Sequence, residues 1–150
     1  MSVHELHRAQ VVNRSLDEVF DFFSRASNLE RLTPSLMHFE LLTPEPIEMR
    51  AGVLLEYRLR VHGVPMHWIS RIDEWEVGSR FVDRQIKGPY KLWVHRHEFE
   101  AIPAGTLVRH QVSYELPFGL LGELGGLPLV RSDLTRIFDY RQKVIATLFE

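Results

Sequence analysis

No cysteine occurs in the 150 residues. Disulfides and thiolate metal sites are excluded, and a reducing compartment fits. An excess of one charge is missing too: 18 lysines and arginines face 20 aspartates and glutamates, for a formal net charge of -2. Nucleic-acid binders usually carry a basic face, so no nucleic-acid partner is expected. Long apolar runs are also absent. MSVHELHRAQ is mixed and polar, without the apolar stretch of a signal peptide. LPFGLLG is too short and too glycine-rich to span a bilayer, so no stable membrane insertion is expected. No repeat, low-complexity tract or linker divides the chain. Its length suits a single domain over residues 1–150. The expectation is a soluble, cytoplasmic domain.

What the sequence does have is two hydrophobic periods in a fixed order. The segment VHELHRAQVV alternates weakly and allows a strand. In NRSLDEVFDFFSR, Ser15 and Glu18 have the spacing of a capping box, and Leu16, Val19, Phe20 and Phe23 recur at helical intervals. A second short helix is expected from Ser27 to Leu32, stopped by Thr33-Pro34. From about residue 39 the period becomes two. Val53, Leu55, Tyr57, Leu59 and Val61 fall on one face, with Glu56, Arg58, Arg60 and His62 on the other. Strands then follow at short intervals, separated by HGVP, EVGS, KGPY and PAG, as in a meander of hairpins. After Pro117, FGLLGELGGLP reads as an apolar connection, either a plain connector or a glycine-hinged gate. A long helix is expected from about Leu127, with Leu134, Ile137, Phe138, Arg141, Val144, Ile145 and Leu148 on one stripe. Strands segregated from helices make the class α+β.

This order resembles the helix-grip fold of the START-like (SRPBCC) superfamily over nearly the whole chain. FVDRQIKGPYKLWVHRHEF, GTLVRHQVSYELPFG and RIFDYR are similar to its bacterial cyclase/dehydrase-like, ligand-binding branch. One position departs: the pattern often has an acid after the GTLVR stretch, and here it is His110. The resemblance implies a curved antiparallel sheet of about seven strands wrapped around the long C-terminal helix. It also implies a cavity between them for an apolar or amphipathic small molecule. START-like proteins often dimerise through an exposed strand edge, so a homodimer stays open.

The hairpins set which side chains face inward. Trp93 and Phe99 give the inner parity of their strand, so His95 and His97 should share it. Counting back from KGPY puts Asp83 near His95 and Gln85 near Trp93. Counting across PAG puts His97 near His110 and His95 near Val112. The preceding hairpin puts Ser70 near Gln85. The expected inward polar cluster is Ser70, Asp83, Gln85, His95, His97, His110 and Tyr114. It is framed by Trp68, Trp93 and Phe99, and Phe138 and Arg141 approach from the helix. Unpaired, each buried polar group would cost about 1–3 kcal/mol. The cluster must therefore satisfy itself, hold water, or meet a ligand.

Two functions of different classes follow. The first is a binding protein whose apolar, aromatic or lipid-like ligand lies against Trp68, Trp93 and Phe138, its oxygenated end oriented by the polar cluster. The second is an aromatase/cyclase-type enzyme on a polyketide-like chain, with Asp83 and His95 as the acid/base pair. Arg141 either snorkels or serves as counter-ion for Asp83 or for a ligand carboxylate. A zinc site on His95, His97 and His110 is a further alternative. FGLLGELGG has neither the Lys-Ser/Thr of a nucleotide loop nor dinucleotide spacing, so no cofactor is expected, and a metal is expected only under the zinc alternative.

Overall fold

The computed structural model describes residues 2–150; of residues 120 and 121 only the backbone belongs to the description. Strand β1 (His4–Val12) is followed by helix α1 (Leu16–Phe23), a 3-10 turn (Ala26–Asn28) and the short helix α2 (Leu29–Leu32). Strands β2 (Glu40–Leu41), β3 (Leu54–Val61), β4 (Val64–Glu76), β5 (Arg80–Lys87), β6 (Leu92–Ile102) and β7 (Gly105–Glu115) follow, and helix α3 (Gly119–Leu148) ends the chain. The strands form one seven-stranded antiparallel sheet in the order β1-β7-β6-β5-β4-β3-β2. This is the expected α+β helix-grip arrangement. No helix of the described residues is long and apolar enough to cross a membrane.

Local chemistry starts and stops the elements where the sequence places them. The Ser15 hydroxyl accepts from the Glu18 N–H at 3.3 Å, and Asp17 and Glu18 lie where the helix dipole favours acids. The β3–β4 hairpin turns on His62 (φ 51°) and Gly63 (φ 77°), the two positive-φ residues that match the twist of its strands. Of the hairpin pairings expected from the turns, four are present; that of Gln85 with Trp93 is not among the β5–β6 pairs, which run from Arg80–Glu98 to Arg84–Val94. Asp83 lies opposite His95, His97 opposite His110, His95 opposite Val112, and Ser70 opposite Gln85. The β4–β5 register shifts twice, between Ile69 and Ser70 at the edge of the polar cluster and between Ile72 and Glu74.

The segment after Pro117 departs from expectation. It is not a loop: the backbone is helical from Gly119, eight residues before the expected start at Leu127. Part of the gate assignment falls on the side chains of 120 and 121, outside the described residues. Glycine and proline have poor helix propensity, which is why local reasoning starts the helix late. Packing overrides it. A Cβ on Gly122 would lie 2.0 Å from the carbonyl oxygen of Pro117, so only glycine lets the helix turn this tightly off the end of β7. Pro128 sits inside the helix beside exposed Leu124 and Leu129.

The helix lies on the sheet through Leu134, Phe138 and Ile145, all buried, whereas Leu148 at the end of the stripe is exposed. Polar ties fix it along both margins: His4 to Glu123 at 2.7 Å, Gln10 to the Gln142 carbonyl at 2.9 Å, and His62 to Asp133 at 2.8 Å. The apolar interior falls into two main clusters along the inner face and a smaller third one of Ala26, Leu55 and Ile72. At one end α1 packs down: Val19 and Phe20 meet Phe81, Phe99, Val108 and Ile145. At the other, Leu134 and Phe138 stand over Trp68, Trp93, Val112 and Tyr114.

Candidate functional site

Between α3 and β3–β6 lies a cavity of about 560 Å³. That is an ordinary size for a small-molecule pocket. Its wall is aromatic. Trp68 and Trp93 meet edge to face at 5.4 Å between centroids, Tyr57 stacks on Trp68 at 6.0 Å, and Tyr90 packs on Trp93 at 4.8 Å. Phe138 and Ile137 come from the helix, and Met37 and Phe39 from the segment before β2. The mouth carries exposed Leu36, Phe118 and Leu129.

Its floor is polar. Ser70, Asp83, His95, His97 and Arg141 line the cavity together with Tyr57. His97 Nε2–H donates to Asp83 Oδ2 at 2.8 Å. Its imidazole is held in a stack between Phe81 (4.1 Å) and His95 (3.6 Å). His95 Nε2 and His110 Nδ1 share a hydrogen bond of 3.0 Å. Trp68 Nε1–H donates to Ser70 Oγ at 3.0 Å, and Ser70 and the Tyr57 hydroxyl are 2.8 Å apart. Among the described residues, two buried side-chain nitrogens have no partner, His97 Nδ1 and Arg141 Nε. The Arg141 guanidinium lies over the Phe138 ring at 4.9 Å.

Burial dominates the electrostatics. It pushes the imidazoles of His95 and His110 well below the usual range, and the positive charges of neighbouring groups, Arg141 included, add to this. Burial also lowers His97, opposed by the Asp83 carboxylate. Burial brings Arg141 down to about 10, with Asp83 and Tyr57 acting the other way. Burial raises the Tyr57 and Tyr90 phenols. Near neutral pH the floor is therefore a set of neutral imidazoles around one guanidinium, with Asp83 bonded to one of those imidazoles.

The expected cluster is only partly a cavity floor. Trp68, Ser70, Asp83, Trp93, His95, His97, Phe138 and Arg141 line the space; Gln85, Phe99, His110 and Tyr114 do not. Phe99 is covered by Phe20 and Phe23 of α1. His110 lies behind His95, against Phe23 and Phe138. Tyr114 is buried beside His4 and Trp93. Gln85 instead clamps the β5–β6 turn, donating to the Tyr90 carbonyl at 2.7 Å and accepting from the Tyr90 N–H at 3.1 Å. Parity fixes the face of a strand, not what covers each stretch of it.

The expected pairing of Asp83 with His95 also needs correction. The two are strand partners, but the Asp83 side chain reaches diagonally to His97. Diagonal neighbours across a twisted antiparallel pair are within reach of long side chains. One ring nitrogen from each of His95, His97 and His110 lies within 4.8 Å of the others, a looser grouping than the roughly 3.3 Å between donors on one tetrahedral zinc. Their contacts run instead to each other and to Asp83. Tyr57 and Tyr90 are absent from the sequence-derived cluster. Tyr57 shares the inner parity of Leu55 and Leu59 and pairs with Trp68, and that signal could have placed it in the site.

Residues 12–135 match the family described as "Polyketide cyclase / dehydrase and lipid transport". No curated protein matches the chain. Among solved structures, the Zhui aromatase/cyclase from a Streptomyces species is similar over 97% of this chain and 93% of its own, with 12% identity and a TM-score of 0.76. The di-domain aromatase/cyclase StfQ of the steffimycin biosynthetic pathway is similar over 98% of this chain and 50% of its own, with 13% identity and a TM-score of 0.76. A major latex-like protein from Panax ginseng is similar over 99% of this chain and 98% of its own, with 12% identity and a TM-score of 0.71. At such identities the likeness is one of fold.

Proposed function

Because the chain belongs to the polyketide cyclase / dehydrase and lipid transport family, we propose that it binds an apolar, aromatic or lipid-like small molecule between its sheet and its C-terminal helix. The observation that carries this is the cavity of about 560 Å³, walled by Tyr57, Trp68, Tyr90, Trp93 and Phe138 above a polar floor. Apolar walls with a few converging polar groups are the usual composition of a ligand pocket. The walls would supply affinity by burying the body of the ligand. The floor would orient its polar end, because a wrongly turned ligand leaves buried polar groups unpaired. The test is to purify the protein natively, extract it, and identify bound molecules by mass spectrometry, followed by a screen of aromatic and aliphatic ligands. Saturable binding lost on narrowing the space, for instance in Ser70→Trp, is expected. A well-folded protein that binds nothing in the screen would end this reading.

A second reading is an aromatase/cyclase-type enzyme acting by general acid/base catalysis. One observation favours it: Asp83 and His97 form a hydrogen-bonded carboxylate–imidazole pair on the cavity floor. Such a carboxylate fixes the tautomer and strengthens the imidazole as a base at its other nitrogen. That nitrogen, Nδ1, is buried without a partner in this arrangement, so binding remains the principal reading. Turnover of a poly-β-keto substrate that survives His97→Gln unchanged would dismiss the enzymatic one.

A further inference from the structure

Among the described residues that line the cavity, Arg141 is the one arginine that is not exposed; Arg25, Arg60 and Arg136 are exposed. A guanidinium has five N–H donors and no acceptor. Among the described residues Arg141 has no ion pair, and its buried Nε has no hydrogen-bond partner. Asp83, the carboxylate nearest in electrostatic effect, is already engaged by His97.

A second donor stands nearby. Ser70 is 1% exposed, and its oxygen accepts the Trp68 N–H. Its own proton then needs an acceptor, and the only oxygen it meets among the described residues is that of Tyr57, at 2.8 Å. If Ser70 donates there, the phenol proton of Tyr57 is left over for the cavity that Tyr57 lines. Tyr57 and Arg141 line the same cavity. The corner thus offers two kinds of donor and a positive charge; the one carboxylate on the same floor, Asp83, is bonded to His97 and makes no ion pair with Arg141.

Resting on the proposal that the cavity binds a small molecule, we infer that the ligand is an amphipathic carboxylic acid, its carboxylate held by the Arg141 guanidinium and the Tyr57 hydroxyl and its apolar body against Trp68 and Trp93. A neutral carbonyl would accept one or two of these donors and leave the guanidinium without a direct ion pair, its charge offset only by Asp83 at longer range. A carboxylate matches the planar fork of arginine and has lone pairs left for the phenol. Low local polarity strengthens this pairing, and it also makes the empty corner costly.

Two size-matched pairs test it: pyrenebutyric acid against its methyl ester, and palmitic acid against methyl palmitate, titrated by calorimetry or by pyrene fluorescence. The native protein should bind the acid more tightly than the ester by about ten- to a hundredfold, the range for hydrogen bonds to a charged group. Arg141→Met should abolish that preference, costing the acid far more affinity than the ester, and Tyr57→Phe should reduce it. Circular dichroism and melting of each variant confirm folding. If Arg141→Met does not fold, Tyr57→Phe and the acid/ester ratio of the native protein decide. Equal binding of acid and ester by the native protein overturns the inference and leaves the binding reading standing. A preference that persists in folded Arg141→Met overturns the assignment to Arg141. Binding of neither member of either pair overturns the inference and the binding reading together.

Discussion

His97 donates from Nε2 to Asp83 Oδ2 over 2.8 Å, although the residue directly across the strand pair from Asp83 is His95. The diagonal contact leaves His95 to bond His110 on the other side. Three strands are thereby stitched together through their inward side chains, β5 to β6 by one bond and β6 to β7 by the other. Asp83→Leu removes the acceptor and leaves a buried N–H unpaired. A loss of about 1–3 kcal/mol in urea unfolding is expected. Asp83→Asn keeps an oxygen there and should lose clearly less. Equal losses would mean that the hydrogen bond contributes little.

Acid should destabilise the fold through its buried imidazoles. His95, His97 and His110 are all shifted down, chiefly by burial. In the unfolded chain they titrate near 6.5, so below that pH the unfolded state binds more protons than the folded one. Stability is then full above about 6.5 and falls as pH drops from there toward the folded-state values, by up to about 1.4 kcal/mol per pH unit for each such histidine. His110→Gln keeps a hydrogen-bonding group and removes one titrating site. Its stability, followed from about pH 8 to about pH 5, should fall less steeply than that of the native protein. Parallel slopes would show that His110 is not held neutral.

Gly122→Ala should destabilise in spite of helix propensity. Alanine is favoured over glycine inside a helix by about 1 kcal/mol. Its Cβ, however, would lie 2.0 Å from the Pro117 carbonyl oxygen, and that atom belongs to the backbone. A net loss of about 1–3 kcal/mol is expected, as for other overpacked sites. A gain in melting temperature would show that the start of α3 relaxes freely.

Gln85 and Ser70 separate architecture from site. Gln85→Ala removes both hydrogen bonds that clamp the β5–β6 turn to Tyr90, each worth about 0.5–1.5 kcal/mol. It should lower the melting temperature without changing ligand affinity. Ser70→Ala leaves the Trp68 N–H and the Tyr57 hydroxyl without their shared partner inside the cavity. It should change both stability and affinity. Calorimetric titration of the two variants with one ligand makes the comparison.

Much of this was legible because it is local. Ser15 and Glu18 marked the start of α1 by their spacing, and the bond between them is there. Tight turns count residues, so the pairing of His97 with His110 could be reached from PAG alone. Illegible were features that depend on distant partners. Nothing in the alternation around Phe99 announces that Phe20 and Phe23 will cover it. Nothing in FGLLGELGG announces that Pro117 needs a neighbour without a side chain.

The sequence by itself determined the order of elements, the register of the hairpins and the inward parity of KLWVHRHEF. Backbone geometry alternates side chains whatever lies above them. Tertiary structure alone decided which inward residues meet open space. Helix α1 fills one end of the sheet's inner face, and α3 stands off the other on Leu134 and Phe138. It also decided that Asp83 reaches His97 rather than His95, because twist sets diagonal distances. And it brought Arg141, one residue in a helical stripe, over the floor built by β3–β6. Which groups end up without partners depends on packing across the whole chain, and no short stretch of sequence contains it.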